Sequence, residues 1–515
     1  MNKAGTILTK IFHWVFFIVA LFLFISAVLT TASHGYDEGV KIEFAGVGLN
    51  NPLVTILQIV LGIGIIYLFY RLTDRLKDSV RIDVIAGIVC VIALAVSIIW
   101  INLPNIVIGG DQQSCVTYAD AMNAGDYSSM DRGQYLGTYQ HLLGFVALLR
   151  VLFKLFGEGN YEAVRYFNAL CVPLLIWSGY KITKYLSKDD RQTELFYLLV
   201  MLFATPMYVY VLFVYGDLSG SAFSMLSVWM FTEVLKNNKV RDYILLFLSC
   251  IVSTMMRSTG MIFVAAMLIV CVVKMIGHFD KKLIAPTLLL VAVLLSYSHI
   301  IALMYANVGV DTSKRLPPTA TIAMGMNYDN GYAGWYNYYE LDIHYENGCD
   351  YDTTNEAALE VLREVYIPLF IHDPAFTVKF FFEKLNSQWQ EPLYQCFLMN
   401  DLLYGGQNDF VMSVYFGGLN TALEWIMKMV QIMMYGCTAF VLFKKRKDEA
   451  DIEFYLTMIA VFGGFLLSMV WESKGRYILP YFFALVPVYA VGAGYLYNSL
   501  KTVFKKKGPA DAAEA

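Results

Sequence analysis

The sequence predicts an all-α polytopic membrane protein of about twelve transmembrane helices, with external interfacial helices and a small mixed external cap. Three observations point there. Of the 515 residues, 58% are hydrophobic and only 16% charged, against about 25% charged in an ordinary soluble domain. Apolar runs recur at lengths that cross about 30 Å of hydrocarbon. Basic residues gather between alternate runs, as in cytoplasmic turns.

In chain order, apolar runs lie near 10–30, 52–71, 82–102, 139–156, 162–186, 193–213, 217–236, 242–256, 258–276, 284–306, 420–443, 452–471 and 476–499. The first follows Lys3 and Lys10 and exceeds the about 7–15 residues of a signal-peptide core, so it reads as a retained anchor. Basic clusters follow at Arg71/Arg75/Lys77/Arg81, Lys181/Lys184/Lys188/Arg191, Lys236/Lys239/Arg241, Lys274/Lys281/Lys282, Lys444 to Lys447 and Lys501/Lys505 to Lys507. If 139–156 crossed the bilayer, the cluster at 181–191 and every later one would be inverted. That run is short and carries Arg150 and Lys154. It reads instead as an amphipathic helix on the outer surface. Twelve spans remain, and both termini and all six clusters fall on the cytoplasmic side of the cell membrane.

The organisation expected is two additional N-terminal helices (1–80), a membrane core (81–306) whose first external loop is 103–161, an external cap (307–419), C-terminal spans (420–500), and a basic, then disordered, cytoplasmic tail (501–515). The cap holds 15 acidic against 5 basic residues, so most of it is expected to be solvated surface. Helical periodicity runs over 355–370 and 374–389, with Asp373 as N-cap and Pro374 at the first helical position. Of the eight cysteines, only Cys115, Cys349 and Cys396 fall outside the apolar runs, which makes no disulfide framework, and no Cys/His spacing suits a metal.

Ionisable residues at membrane depth are functional candidates by default. Here they gather towards the external ends of the spans: Asp111 with Gln112, Tyr139 and His141, Arg165, Asp217, Arg257, and Glu472, Lys474, Arg476 and Tyr477. Each also has a purely structural reading. Asp217 suits a helix N-cap, Arg476 an interfacial anchor, Asp111 a turn after two glycines, and Arg165 a solvated helix end. Their shared depth favours chemistry. A carboxylate there can take a proton from a hydroxyl, and arginine or lysine can hold a phosphate and the charge that develops on it. Reached from the bilayer, the phosphate would belong to a lipid. No GxxxxGK[ST] run is present, and no nucleic-acid partner is expected.

The order of these features resembles the GT-C class of membrane glycosyltransferases, specifically bacterial members of the group with the protein O-mannosyltransferases and the aminoarabinose transferase of lipid A. The similar elements are Asp111-Gln112 opening the first external loop, Tyr139-Gln140-His141-Leu142 at the interfacial helix, Leu155-Phe156-Gly157 followed by Arg165-Tyr166-Phe167-Asn168, Asp217, and Arg476-Tyr477-Ile478-Leu479-Pro480. The sequence has Gln112 where the class commonly has Glu, and it lacks two prolines before the interfacial helix. The resemblance implies a polyprenyl-phosphate-sugar donor, an envelope glycan, lipid or protein as acceptor, and inversion at the anomeric carbon. Asp111 would be the general base and Asp217 its support. His141, Arg257, Lys474 and Arg476 would contact the donor phosphate. The resemblance leaves room for a divalent cation near Asp111 and Asp217. The cap would cover the cavity, with Trp335, Tyr336, Tyr338, Tyr339 and Trp389 stacking on sugars or packing within the cap. Twelve spans also suit a lipid-linked-glycan flippase or transporter, but such proteins carry their polar groups at the midplane of paired halves. A surface-polysaccharide polymerase or ligase shares the external-site logic.

Overall fold

Spans dominate the chain because an apolar helix satisfies all its backbone hydrogen bonds internally, which hydrocarbon demands. The computed structural model describes residues 3–37, 42–74, 81–329, 331–400, 406–447 and 451–506. Among these residues, nine helices are long and apolar enough to cross a membrane: Lys3–Leu29, Pro52–Thr73, Ile82–Ile101, Asp217–Asn237, Gly260–Gly277, Lys281–Met304, Gly418–Lys445, Ile452–Val470 and Gly475–Val503. All nine occupy expected spans. The tail from 507 onward, expected to be disordered, lies outside the described residues.

The remaining three expected spans differ in instructive ways. The run at 193–213 is not one straight helix. Arg191–Leu202 is followed by Thr205–Leu212 at a 50° bend, where Pro206 enters at the start of the second piece and cannot continue the ladder of the first. Glu162–Leu186 is a helix of 25 residues, but Arg165, Asn168, Lys181 and Lys184 make it too polar to count by composition. Val240–Met256 has 17 residues, about 26 Å of rise. Both pack against Asp217–Asn237 within the bundle.

Leu143–Phe156 is a 14-residue helix, about 21 Å long and too short to span. It buries Val146, Leu149 and Phe153 and exposes Val151, Leu155 and Phe156, as an interfacial helix should.

The two N-terminal helices are joined by a β-hairpin that alternation did not reveal in the sequence. β1 (Thr30–Asp37) pairs antiparallel with β2 (Ile42–Leu49). Asn50 donates to the carbonyls of Ala27, Val28 and Thr30, which satisfies the end of the first helix. Ala32 N–H donates to Gln390 O at 3.2 Å, fastening the hairpin to the segment after the cap helices.

The external segment departs from a self-contained cap. A small cluster of its own holds Ala320, Ala323, Ala358 and Tyr366. Pro374–Trp389 starts where expected, with Asp373 accepting from Phe376 N–H. Its far end enters the main core: Trp389, Leu393, Tyr394 and Cys396 belong to the core of the bundle. Lys384, fully buried, donates to Gly325 O, Trp471 O and Ser473 Oγ. Trp335 and Trp389 are buried, with their indole N–H groups donating to Ser387 and Ser468. They are packing residues, not sugar platforms. All eight cysteines are free thiols.

Candidate active site

Asp111 sits in the first turn of helix Gly110–Asn123, where the helix dipole favours a carboxylate. Gly110, at φ +52°, makes the turn that aims it. Tyr135 donates to Asp111 Oδ1 at 2.7 Å, and Arg476 Nη2 lies 3.6 Å from Oδ2. Although it lies among charged and aromatic side chains, 45% of its side chain remains accessible. Burial pushes its pKa up, but Arg476, Lys474 and the Tyr135 hydroxyl outweigh it and hold the group below the usual carboxylate range. At neutral pH it is an anion able to accept a proton.

Arg476 comes from the turn before the last long helix, Leu479–Lys506. Its backbone N–H donates to Gln395 Oε1 at 3.1 Å. Its side chain is 6% accessible and its guanidinium lies over the rings of Phe213, Tyr215 and Tyr477. Nε has no hydrogen-bond partner, and Nη1 reaches only Met399 Sδ at 3.7 Å. A buried guanidinium with unused donors is a ready anion receptor.

Arg257 follows helix Val240–Met256 and lies over the same two rings, Tyr215 and Tyr477, each 5.3 Å away. Its Nη2 is 3.6 Å from Asp217 Oδ1. The close approach depends on Gly216, where a Cβ would meet Met256 O at 2.1 Å. Asp217 is 3% accessible and its Oδ2 has no hydrogen-bond partner. It therefore stands behind Arg257. Of the two carboxylates, Asp111 is the accessible one and Asp217 the buried one, paired with Arg257.

Lys474 lies 3.4 Å from both Glu472 and Glu43 of β2. Burial alone would discharge it, but the two glutamates raise its pKa and keep it charged. Tyr477 donates to Glu472 Oε2 at 2.6 Å. Tyr139 donates to Glu340 Oε1, and Thr321 to Glu340 Oε2. Burial and the charge of Glu472 push Glu340 up to about 7. His141 keeps accessible surface, but desolvation and the neighbouring Arg257 push its pKa down to about 4. It is a neutral imidazole at pH 7.

Two expected binding residues serve the scaffold. Gln112 is buried, with its amide donating to Met399 O and its oxygen accepting from Val214 N–H. Arg165 is 3% accessible and bonds Leu212 O, Ile106 O and Glu162. Both are consumed, and tie the first external loop to 211–214. Glu43, Tyr135, Tyr215 and Glu340 were not expected. The one trace of them in the sequence is Glu43 between apolar Ile42 and Phe44.

The donor set does not fit a divalent cation. Asp111 and Asp217 each face a guanidinium, and among the described residues no group of three or more His, Cys, Asp or Glu could hold a metal.

Residues 141–301 match the family described as dolichyl-phosphate-mannose-protein mannosyltransferase, in agreement with the resemblance read from the motif order. The match includes His141, Arg165, Asp217 and Arg257, and leaves out Asp111 and Glu472 to Tyr477. Among solved structures, the crystal structure of ArnT from Cupriavidus metallidurans bound to undecaprenyl phosphate is similar, with 14% identity over 80% of this chain and a TM-score of 0.39. The alignment spans 59% of that longer chain. No curated protein sequence matches the chain.

Proposed function

We propose that the protein is an inverting glycosyltransferase that moves a sugar from a polyprenyl-phosphate carrier to an extracytoplasmic acceptor at the cell membrane. The observation that carries the reading is Arg476, a buried arginine with unused donors 3.6 Å from the accessible carboxylate of Asp111. The match of 141–301 to a lipid-phosphate mannosyltransferase family supports it.

In this mechanism the donor phosphate enters between Arg476 and Arg257, over Tyr215 and Tyr477, with Lys474 adding charge. A phosphate arriving at Arg476 competes with Asp111 for it and frees the carboxylate. Asp111 takes the proton of the acceptor hydroxyl, whose oxygen forms the new bond to the anomeric carbon. The bond from that carbon to the phosphate oxygen breaks, and the electron pair leaves with the phosphate, held by the guanidinium groups. Tyr135 orients Asp111. Glu340, accepting from Tyr139 and Thr321, holds Tyr139 in the wall of the site.

Asp111→Asn keeps the shape and removes the base. General-base loss costs about 10²–10⁴-fold in rate. The purified variant, given lipid-linked sugars extracted from membranes, should lose transfer by at least that range while retaining its fold. Transfer at the wild-type rate would remove Asp111 from the mechanism.

A further inference from the structure

A second cavity lies at the opposite ends of the same helices. Asp217 opens helix Asp217–Asn237 beside the candidate site; Val234 and Leu235, from its last turns, and Asn238 just past its end line the second cavity. Twenty-one residues separate the two ends, about 31 Å of rise, which is the thickness of the hydrocarbon. Arg257 precedes helix Gly260–Gly277, whereas Lys274 and His278 end it beside the second cavity. The two sites therefore face opposite membrane surfaces. The volume of the second is about 690 Å³, within the range of small-molecule sites.

Its lining has two characters. Trp14, Leu283 and Pro286 are apolar, with Trp14 48% exposed on the outside of the bundle, as interfacial tryptophans are. Lys10, Lys274, Lys282 and Arg446 bring four cationic groups, against the carboxylates of Asp280 and Asp451. Lys274 pairs with Glu453, and Asp280 accepts the backbone N–H of Lys282. Lys10, Lys282 and Arg446 have no carboxylate at ion-pair distance among the described residues.

His13 lies at the inner end. It is 5% exposed, and its Nδ1 is 2.8 Å from the Tyr455 hydroxyl. Its Nε2 is buried with no hydrogen-bond partner. A buried polar nitrogen in a cavity wall calls for a ligand to complete it. From Thr6 to Trp14 is eight steps of helix, so the cavity reaches about 12 Å along it.

We infer that this cavity binds a phosphate-bearing headgroup at the membrane surface opposite the candidate active site, with Lys10, Lys282 and Arg446 at the mouth and His13 beneath. The chemistry is that of a phosphate mono- or diester, supplied by an anionic lipid or by free phosphate. The inference stands apart from the proposed transfer reaction, since it uses none of the same residues.

The test is native mass spectrometry of the full-length protein released from phosphatidylcholine nanodiscs containing phosphatidylglycerol. The wild type should retain phosphatidylglycerol over phosphatidylcholine by about tenfold, and Lys10→Gln/Lys282→Gln should lower that preference at least fivefold. These lysines are exposed, so the double variant should fold. His13→Phe, which fills the wall without a polar nitrogen, should lower retention independently. Arg476→Gln serves as the control for the other site and should leave the Lys10- and Lys282-dependent retention unchanged. Millimolar inorganic phosphate separates the sources: lysine-dependent displacement of the lipid, or binding of phosphate alone, assigns a free-phosphate site. Resistance to phosphate assigns a lipid site. Equal retention of the two lipids without lysine-dependent phosphate binding, or a folded double variant that retains phosphatidylglycerol as the wild type does, overturns the inference.

Discussion

At the scale of residues, the site separates charged from neutral groups by environment rather than by type. Asp111 and Glu340 are both carboxylic acids near Lys474, yet Arg476 and Tyr135 keep Asp111 ionised while burial beside Glu472 holds Glu340 near neutrality at about 7. Glu340 thus carries a pH signature. The folded-state pKa lies above the ordinary glutamate value of 4.5. The unfolded chain releases its proton first, so Glu340 takes stability away as pH rises from 4.5 to about 7, with no further change above. Glu340→Gln removes this loss. Melting in detergent should show the variant gaining on the wild type across that window, by up to about 3 kcal/mol, and no gain below pH 4.5. A constant offset at all pH values would refute the assignment. The candidate residues were legible from their types and common depth. The scaffold role of Gln112 and Arg165, and the neutrality of His141, were not, because they depend on which atoms approach in space.

Among the elements, the spans were legible because the bilayer imposes a length of about 20 apolar residues, and all nine apolar spans fall where hydropathy puts them. The run at 193–213 was read as one span, and the 50° bend at Pro206 was not anticipated. The hairpin Thr30–Leu49 was hidden because two short strands between strong apolar runs leave little periodicity. It matters nonetheless, since it delivers Glu43 to Lys474. The helix Pro374–Trp389 was placed correctly, but its insertion into the bundle was not, since Lys384 reads as surface. Buried, it ties three acceptors together, and burial pushes its pKa down to about 7. Lys384→Met would leave Gly325 O, Trp471 O and Ser473 without this donor, at about 1–3 kcal/mol for each group left unsatisfied. The variant should melt well below the wild type at pH 7, and a melt within 1 °C of it would show that the staple contributes nothing.

For the whole molecule, basic clusters and candidate site occupy opposite ends of shared helices: Lys236 ends the helix that Asp217 begins, and Lys274 ends the helix that follows Arg257. The proposed orientation, with the clusters cytoplasmic, puts the candidate site at the extracytoplasmic ends of these helices. Charge asymmetry in the sequence was enough to lay 139–156 on the surface, and the short helix Leu143–Phe156 is consistent with it. The most direct test is the affinity of the purified protein for undecaprenyl phosphate, with Arg257→Gln, Arg476→Gln and Asp111→Asn beside the wild type. Each arginine variant should bind at least tenfold more weakly, about 1.4 kcal/mol, while Asp111→Asn should bind as tightly as the wild type or more so, having lost a competing negative charge. Equal affinity in all four proteins would contradict a donor phosphate held by Arg257 and Arg476.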